Sequence, residues 1–309
     1  MSGKNKVVVV GSSNMDLVAK TPRIPVAGET LSGTDFFMVP GGKGANQAVA
    51  AARLGADVVF VAKLGKDVFA SRSIDNYRNA GIDISRIEQI EGVPSGIAMI
   101  AVEESGNNSI IVVPGANAKL GPADVTAAKD DIAAATVVVA QLEIPMETVL
   151  ETAKAAQAVG AAFILDPAPA GELSDELLSM VDIIKPNETE AEAITGIKVS
   201  DRASAAKAAD VLLDKGVKTV IITLGGRGFM LARGRSKEII ANHNVKVVDT
   251  TAAGDAFVGG LAFGIAAGKP LKDAAVYANY VAAVSVTRQG AQTSLPTQME
   301  VAAIMNESS

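Results

Sequence analysis

The stretch Asp249-Thr250-Thr251-Ala252-Ala253-Gly254-Asp255-Ala256-Phe257 places an acidic residue where a turn of small side chains becomes a helix. Residues 245–248, just before it, are rich in valine and predict a strand, whereas residues 254–267 are small and apolar and predict a buried helix. The first turn of a helix offers unpaired N–H groups and partial positive charge, so this junction is typical of a phosphate site. Taken alone, Asp255 has a simpler explanation as a charge that complements the helix dipole.

A second glycine-rich segment lies far earlier in the chain, Gly41-Gly42-Lys43-Gly44-Ala45-Asn46-Gln47-Ala48, and continues into a helical pattern at residues 49–54. Together the two segments resemble the paired motifs of the ribokinase family of carbohydrate kinases. Four further segments match that family in the same order: Gly11-Ser12-Ser13-Asn14-Met15-Asp16, Asn187-Glu188-Thr189-Glu190, Thr223-Leu224-Gly225-Gly226-Arg227-Gly228 and Thr287-Arg288-Gln289-Gly290-Ala291-Gln292. The resemblance covers nearly the whole chain and implies ATP-dependent phosphorylation of D-ribose to D-ribose 5-phosphate.

Composition limits the possible partners and chemistry. The chain has 309 residues, enough for one or two domains, and its net charge of −6 without a basic run argues against nucleic-acid binding. It has no cysteine, which excludes disulfides, thiol nucleophiles and cysteine-ligated metals. Its single histidine, His243, excludes a multi-histidine metal site and is expected to be a solvated loop residue. Any metal must therefore be held by oxygen atoms.

The apolar run at residues 7–10 is too short for a membrane span or for the apolar core of a signal peptide. We therefore expect a cytoplasmic protein without a membrane or nucleic-acid partner. Its expected partners are a small sugar and ATP.

Short β-branched runs alternate with helical patterns along most of the chain. Strands are predicted at residues 58–62, 136–142, 162–166, 183–185 and 219–223, and helices at 145–159, 174–180 and 203–215. This alternation predicts an α/β fold, a three-layer sandwich whose mostly parallel central sheet is flanked by helices. We expect a single kinase domain over residues 1–309.

Two regions break the alternation. Residues 17–39 are extended and rich in turns, and residues 96–102 and 109–113 predict a hairpin. We interpret about 17–39 and 96–113 as a small β-sheet lid inserted into the main domain. The resemblance implies that this lid covers the sugar and forms a homodimer contact; the alternative is a pair of surface hairpins with no such role.

Phosphoryl transfer from ATP to a sugar requires a phosphate cradle, Mg²⁺ and a base near the attacking oxygen. The resemblance makes Asp255 the base and implies an anion hole formed by the N–H groups of Ala252, Ala253 and Gly254. Other phosphate-binding patterns fail in this sequence. Lys43 is followed by Gly44, unlike a Walker A motif, and the glycines at 225–228 precede a strand-like segment, unlike a dinucleotide fingerprint.

Asn187 and Glu190 follow the predicted strand at 183–185, so both can face the crevice at its end. On sequence alone a solvated acidic helix start is the simpler explanation, whereas the resemblance implies that they organise Mg²⁺ through water. The resemblance also implies a set of ATP contacts: Asn187, Thr223, Leu224, Gly225, Gly226, Arg227, Gly228, Gly254, Asp255 and Asn279. The family often carries histidine at the position of Asn279.

A polyol needs hydrogen-bonding groups from several strand ends, and Glu143 follows an apolar strand directly. The resemblance implies that Asn14, Asp16, Asn46 and Glu143 bind the sugar hydroxyls. The full set expected at the sugar is Asn14, Met15, Asp16, Gly42, Lys43, Gly44, Ala45, Asn46, Glu143 and Asp255. Beside the anion hole the resemblance implies a K⁺ ion held by Asp249, Thr251, Ser285, Arg288, Gly290 and Ser294.

The sequence leaves the identity of the sugar open. Alternatives are 2-deoxyribose, another pentose or a nucleoside, because preference depends on pocket shape. A sugar or nucleotide sensor without catalysis is disfavoured, since Asp255, Gly254 and Asn187 are all present. A nicotinamide oxidoreductase is disfavoured by the missing dinucleotide fingerprint.

Overall fold

The computed structural model describes residues 5–307, so the two ends of the predicted domain at 1–309 lie outside the described residues. The strands are β1 (Lys6–Val10), β2 (Asn14–Thr21), β3 (Asp35–Gly41), β4 (Asp57–Gly65), β5 (Ile87–Ile90), β6 (Gly96–Glu103), β7 (Asn108–Val113), β8 (Val137–Gln141), β9 (Ala162–Asp166), β10 (Ile183–Ile184), β11 (Thr219–Thr223), β12 (Phe229–Arg233) and β13 (Ser236–Ile240). The helices are α1 (Lys43–Arg53), α2 (Val68–Asn79), α3 (Pro122–Ala127), α4 (Lys129–Ala134), α5 (Met146–Val159), α6 (Asp175–Met180), α7 (Glu188–Thr195), α8 (Arg202–Asp214), α9 (Ala253–Ala266), α10 (Leu271–Ser285) and α11 (Gln298–Glu307). Within this range no helix is long and apolar enough to cross a membrane.

The central sheet has nine strands in the order β13-β12-β11-β10-β9-β8-β1-β4-β5. Neighbours from β11 to β5 pair in parallel, and β12 and β13 extend the sheet as an antiparallel hairpin. Because side chains alternate between the faces of a strand, Val7 and Val9 enter one apolar core with α1, α9 and α10. Val8 and Val10 enter the other core with α5 and α8. The sheet is therefore the middle of three layers, which confirms the predicted fold class.

Most predicted elements form close to their expected bounds. The helix predicted at 174–180 begins at Asp175 because Ser174 Oγ accepts a hydrogen bond from Leu177 N at 3.2 Å. The strand predicted at 245–248 is wrong. That segment has no ladder partner in the described structure, and the N–H groups of Val248 and Asp249 both donate to Val286 O. Valine favours a strand only where a sheet offers a surface to pack on.

A separate four-stranded sheet has the order β3-β2-β6-β7. Strand β2 pairs in parallel with β6, while β3 and β7 add antiparallel edges. It includes the predicted hairpin and both ends of the region predicted as 17–39, although β2 starts earlier, at Asn14. Its action as a lid stays a prediction.

The parallel strands bring polar groups to one edge of the central sheet. The carboxyl ends of neighbouring parallel strands meet at the same edge, where α/β proteins bind their ligands. Gln141 ends β8, Asp166 ends β9 and Thr223 ends β11, while Lys185 follows β10 directly. These residues frame the site described next.

Candidate active site

Helix α9 begins after a sharp turn at Ala252, whose φ of 59° lies in the left-handed region. A side chain with a Cβ is strained in that conformation, whereas glycine adopts it readily. Of the three predicted anion-hole donors, Ala253 N already donates to Thr250 O at 3.2 Å. Among the described residues, the N–H groups of Ala252, Gly254 and Asp255 make no hydrogen bond. The first turn of α9 therefore offers three free donors to an anion.

Asp255 is buried, with 5% of its surface exposed, and its two carboxylate oxygens bind separate donors on α1. Asn46 Nδ2 donates to Oδ2 at 2.8 Å, and Gln47 Nε2 donates to Oδ1 at 3.0 Å. Burial raises the pKa of the Asp255 carboxyl above its ordinary value, against the opposing effects of the Lys43 charge and these two hydrogen bonds. The two glycine-bearing motifs thus meet at one carboxylate with the properties of a general base.

Behind Asp255 lies a buried chain of polar residues that sequence reasoning missed. Gln47 Nε2 also donates to Asp166 Oδ2 at 2.7 Å, and Asp166 Oδ1 lies 2.9 Å from Lys185 Nζ. Gln141 Nε2 donates to Gln47 Oε1 at 2.7 Å and so fixes the orientation of the Gln47 amide. The available signal was positional, since Gln141, Asp166 and Lys185 all stand at carboxyl ends of predicted parallel strands.

The predicted sugar residues converge on the same end of α1. Ser12 Oγ donates to Glu143 Oε2 at 2.5 Å, and Lys43 N donates to the same oxygen at 3.0 Å. Asn46 Oδ1 is buried and has no hydrogen-bond partner in the described structure, so it retains the capacity to accept one. Gly42 has a φ of 89°, and a Cβ there would lie 2.7 Å from Asn14 N. Only glycine allows this close approach.

Gly44 and Ala45 contribute backbone contacts, because Gly44 N donates to Ser12 Oγ and Ala45 N to Ser12 O. The structure does not bring the Met15 side chain to the other sugar residues. It is 1% exposed and lies on the opposite face of β2 from its two neighbours, Asn14 and Asp16. The Asn14 side chain is held by Asn117 Nδ2, which donates to Asn14 Oδ1 at 2.7 Å.

Two charged groups among the predicted sugar residues have strongly shifted pKa values. Burial, together with the negative charges of Glu143 and Asp255, raises the pKa of Asp16 from 3.8 to about 7. Asp16 depends on Gly41, where a Cβ would lie 2.3 Å from Asp16 Oδ2. Burial alone lowers the pKa of Lys43, but the surrounding carboxylates, Asp255 foremost, raise it above its ordinary value. Lys43 therefore stays charged in an acidic pocket.

A cavity of about 730 Å³ borders the first turn of α9 at Ala253 and Gly254. It is lined by seven of the predicted nucleotide residues: Asn187, Thr223, Gly225, Gly226, Gly228, Gly254 and Asn279. Leu224 is buried beneath it. Arg227 turns to Glu188 and to Ser200 O, which it contacts at 2.7 Å. His243 also lines the cavity and packs against Tyr280 with ring centroids 5.2 Å apart. It lies in a loop and is half-buried, so the predicted loop position is confirmed.

Asn187 and Glu190 form a capping box at the start of α7. Glu190 N donates to Asn187 Oδ1, Asn187 N donates to Glu190 Oε2, and Asn187 Nδ2 donates to Glu190 Oε1, at 2.8 to 2.9 Å. Burial raises the pKa of the Glu190 carboxyl. Because the side-chain oxygens already bind each other's donors, the pair is suited to contact a metal through its water molecules.

Of the predicted K⁺ residues, the structure brings Asp249, Thr251 and Gly290 together. Asp249 Oδ1 accepts from Thr251 N at 2.9 Å, and Oδ2 accepts from Gly290 N at 2.8 Å. These hydrogen bonds outweigh burial and hold the pKa of Asp249 below its ordinary value. The other side chains bond elsewhere: Ser285 Oγ to Ala282 O, Ser294 Oγ to Ala291 O, and Arg288 to Glu300.

A family model, curated relatives and solved structures all show similarity between this chain and carbohydrate kinases. The model of the pfkB family carbohydrate kinases matches residues 4–298. The chain is 43% identical to a ribokinase of Haemophilus influenzae, over 96% of this chain and 97% of that protein. It is 37% identical to a deoxyribokinase of Salmonella typhimurium, over 94% of this chain and 95% of that protein. The solved structure of Arabidopsis thaliana ribokinase complexed with ribose and ATP matches with a TM-score of 0.92 at 32% identity, covering 99% of each chain.

Proposed function

Because this chain belongs to the pfkB family of carbohydrate kinases, we propose that it transfers the terminal phosphoryl group of ATP to the 5-hydroxyl of D-ribose. The products are ADP and D-ribose 5-phosphate. The observation that carries the proposal is the position of Asp255, a buried carboxylate between the sugar residues of α1 and the free N–H groups of α9. The similarity to ribokinases supports the choice of sugar.

In this reaction the 5-oxygen of ribose attacks the γ-phosphorus of ATP. An oxygen–phosphorus bond forms, the bond from that phosphorus to the bridging oxygen breaks, and its electron pair leaves with ADP. The hydroxyl proton passes to Asp255, whose burial raises its pKa and makes the carboxylate a stronger base than an exposed aspartate. The free N–H groups of Ala252 and Gly254 stabilise the charge on the transferred group.

The sugar is held on the opposite side of Asp255 from the nucleotide. We assign the carboxylates of Asp16 and Glu143 and the free Oδ1 of Asn46 as acceptors for its hydroxyl groups. Lys43 supplies the balancing positive charge. ATP occupies the cavity of about 730 Å³, with Thr223 and the glycines after β11 along its wall.

We further propose Mg²⁺ and K⁺ as cofactors. The donor sets fit hard, oxygen-binding cations, because Asn187 and Glu190 can accept hydrogen bonds from the waters of Mg²⁺. Asp249, kept ionised by its hydrogen bonds, would hold K⁺ with the carbonyl of Thr251 and the segment from Ser285 to Ser294. When bound, Mg²⁺ supplies positive charge that neutralises the phosphates.

We propose that the four-stranded sheet closes over the sugar and pairs two subunits as a homodimer. Large apolar side chains on it are exposed, among them Phe36 at 58%, Met99 at 49% and Ile111 at 61%. A contiguous apolar surface of this kind marks an interaction site. We place the protein in the cytoplasm, where its co-substrate ATP is available.

The test is an assay of ADP release across a panel of sugars that includes ribose, 2-deoxyribose, arabinose and adenosine. Ribose is expected to give the highest kcat/KM. The second candidate is 2-deoxyribose, favoured by the similarity to a deoxyribokinase. Absence of sugar-dependent ADP release with every sugar would reject the kinase function and favour a sensor.

A further inference from the structure

The reaction described above leaves one buried ion pair unused. The side chains of Lys185 and Asp166 are 4% and 1% exposed, and Lys185 Nζ lies 2.9 Å from Asp166 Oδ1. This contact has the distance of an ion pair, yet Asp166 Oδ1 accepts no hydrogen bond within the described structure. The N–H donors of Lys185 are therefore available to another acceptor.

Lys185 Nζ faces the first turn of α9. A Cβ built on Gly254 would lie 3.1 Å from Nζ, so glycine leaves the space between the ammonium group and the helix N-terminus open. A buried ion pair is a poor means of stabilising a fold, because removing two charges from water costs about as much as their attraction returns. A positive charge placed beside free N–H groups instead suits a site that receives an anion.

We propose that Lys185 is a further catalytic residue, which binds the transferred phosphoryl group beside Gly254 while Asp166 holds its ammonium group in place. This inference rests on the kinase function proposed above. While the bond from the 5-oxygen to phosphorus forms and the bond to the bridging oxygen of ADP breaks, the hydroxyl proton goes to Asp255 and the electron pair leaves with ADP. Lys185 exchanges no proton in this step; it donates hydrogen bonds to the phosphoryl oxygens.

Gln47 is a positioning residue that couples Lys185 to the base. Its amide nitrogen donates to both carboxylates, Asp166 at 2.7 Å and Asp255 at 3.0 Å. The two hydrogens of one amide group therefore fix two acidic side chains at once. The phosphoryl-binding charge and the base are thereby held in one rigid, buried unit.

The test compares Lys185→Met, which removes the charge but keeps side-chain length, with Lys185→Arg and with the double variant Asp166→Asn/Lys185→Met. Removing one donor from a charge-stabilising site lowers turnover about 10²-fold or more. We therefore expect Lys185→Met to lose about that factor in kcat with the KM for ribose within about threefold, and Lys185→Arg to retain more activity. Lys218→Met is the matched control, because Lys218 pairs with Asp182 at 2.6 Å but is 65% exposed.

The double variant separates catalysis from stability. If Lys185 only neutralises Asp166, removing both charges restores turnover; if Lys185 binds the phosphoryl group, thermal stability recovers and turnover does not. Recovery of turnover by the double variant, or unchanged turnover of Lys185→Met, would overturn the proposal. Should Lys185→Met fail to fold, the double variant decides the same question.

A binding measurement gives a second readout. ADP alone should bind Lys185→Met with an affinity close to that of wild type, whereas ADP with ribose and aluminium fluoride, which imitates the transferred group, should bind at least about tenfold more weakly, since a charged donor to it is lost. Equal losses for both probes would show a general defect and reject the specific role. Failure of the kinase function itself is distinct, because the wild-type protein would then release no ADP with ribose.

Discussion

Asn46 and Asp255, which are 209 positions apart in the sequence, are joined by a buried hydrogen bond of 2.8 Å from Asn46 Nδ2 to Asp255 Oδ2. Asn46 belongs to the glycine-rich start of α1 and Asp255 to the first turn of α9. This hydrogen bond joins the first turns of the two helices directly, so the residues around Asn46 and those around Asp255 are held in one fixed arrangement. Such preorganisation lowers the cost of aligning two substrates.

Replacing Asp255 by asparagine should remove the base. We expect kcat to fall by about 10²- to 10⁴-fold while ADP affinity stays within about twofold. In this variant the new amide group faces N–H donors from both Asn46 and Gln47 but has only one oxygen to accept them. One donor loses its acceptor, so the free energy of unfolding should fall by about 1 to 3 kcal/mol. Steady-state kinetics with ADP titration and thermal melting measures all three quantities. Turnover within threefold of wild type would remove Asp255 from the role of base.

Residues in local patterns could be predicted from the sequence, whereas long-range partners could not. The strand at 162–166 and the helix start at Ser174 are encoded by short runs of side chains, and the structure places both as predicted. Gln47 and Asp166 are 119 positions apart, and nothing near either residue indicates their hydrogen bond. The strand predicted at residues 245–248 is wrong because a strand also needs a long-range partner. The local run of valines favours a strand, but the fold supplies no neighbouring strand there.

The roles of Asn187 and Glu190 lie between these cases. Their spacing predicted a shared helix face, and the capping box explains that spacing as local structure. Asn187 also lines the cavity of about 730 Å³, so a structural and a binding role are compatible for this residue. On sequence alone the acidic helix start was the simpler explanation, and only the family resemblance pointed to a metal, because both roles require the same residue types at the same separation.

The pKa of Asp16, about 7, predicts a pH dependence of sugar binding. Asp16 accepts hydrogen bonds from sugar hydroxyls through both oxygens only when it is ionised. We therefore expect kcat/KM for ribose to fall as pH decreases below about 7. This decrease should be absent from Asp16→Asn. The stability effect has the opposite sign. A folded pKa raised from 3.8 contributes stability at low pH that is lost as pH rises through about 7.

Asp16→Asn should accordingly raise the melting temperature of the sugar-free protein at pH 8 by at least about 2 °C and change it little at pH 4. Melting curves at the two pH values, without sugar, provide the measurement. An equal change in melting temperature at both pH values would mean that the ionised Asp16 carboxylate does not destabilise the folded protein.

The K⁺ assignment predicts a specific salt effect. Potassium should support several-fold higher turnover than sodium at equal ionic strength, which holds electrostatic screening constant. Asp249→Asn should abolish the difference, because the charged oxygen beside Thr251 and Gly290 is lost. Equal rates in both salts would remove the cation from the mechanism and leave the kinase function intact.

The exposed apolar face of the four-stranded sheet predicts that a charged residue introduced there will disrupt the proposed homodimer. Ile111 pairs with Met99 across β6 and β7 and is 61% exposed, so Ile111→Lys should convert the dimer to a monomer. Val68→Lys, at a site on α2 that is 62% exposed, is the matched control and should leave the mass unchanged. Light scattering after size-exclusion chromatography measures both. A wild-type monomer at micromolar concentration would contradict the homodimer.

Asp16 also predicts discrimination between ribose and 2-deoxyribose, the two sugars that the relatives leave open. The family resemblance implies that this carboxylate contacts the 2- and 3-hydroxyls, and the structure half-buries it beside Gly41 with a pKa of about 7. A carboxylate that loses one hydroxyl donor in a closed site costs about 1 to 3 kcal/mol. Ribose should therefore exceed 2-deoxyribose in kcat/KM by about tenfold or more.

Variants at two neighbouring positions identify the cause of that preference. Asp16→Asn should reduce the ratio of the two kcat/KM values, because an amide discriminates the missing hydroxyl less strongly than a charge does. Met15→Ala should leave the ratio unchanged, since Met15 is 1% exposed and points to the other face of β2. If the wild-type protein prefers 2-deoxyribose, the ribose assignment is wrong; if Met15→Ala then removes that preference, the side chain reaches the sugar through a rearrangement of β2.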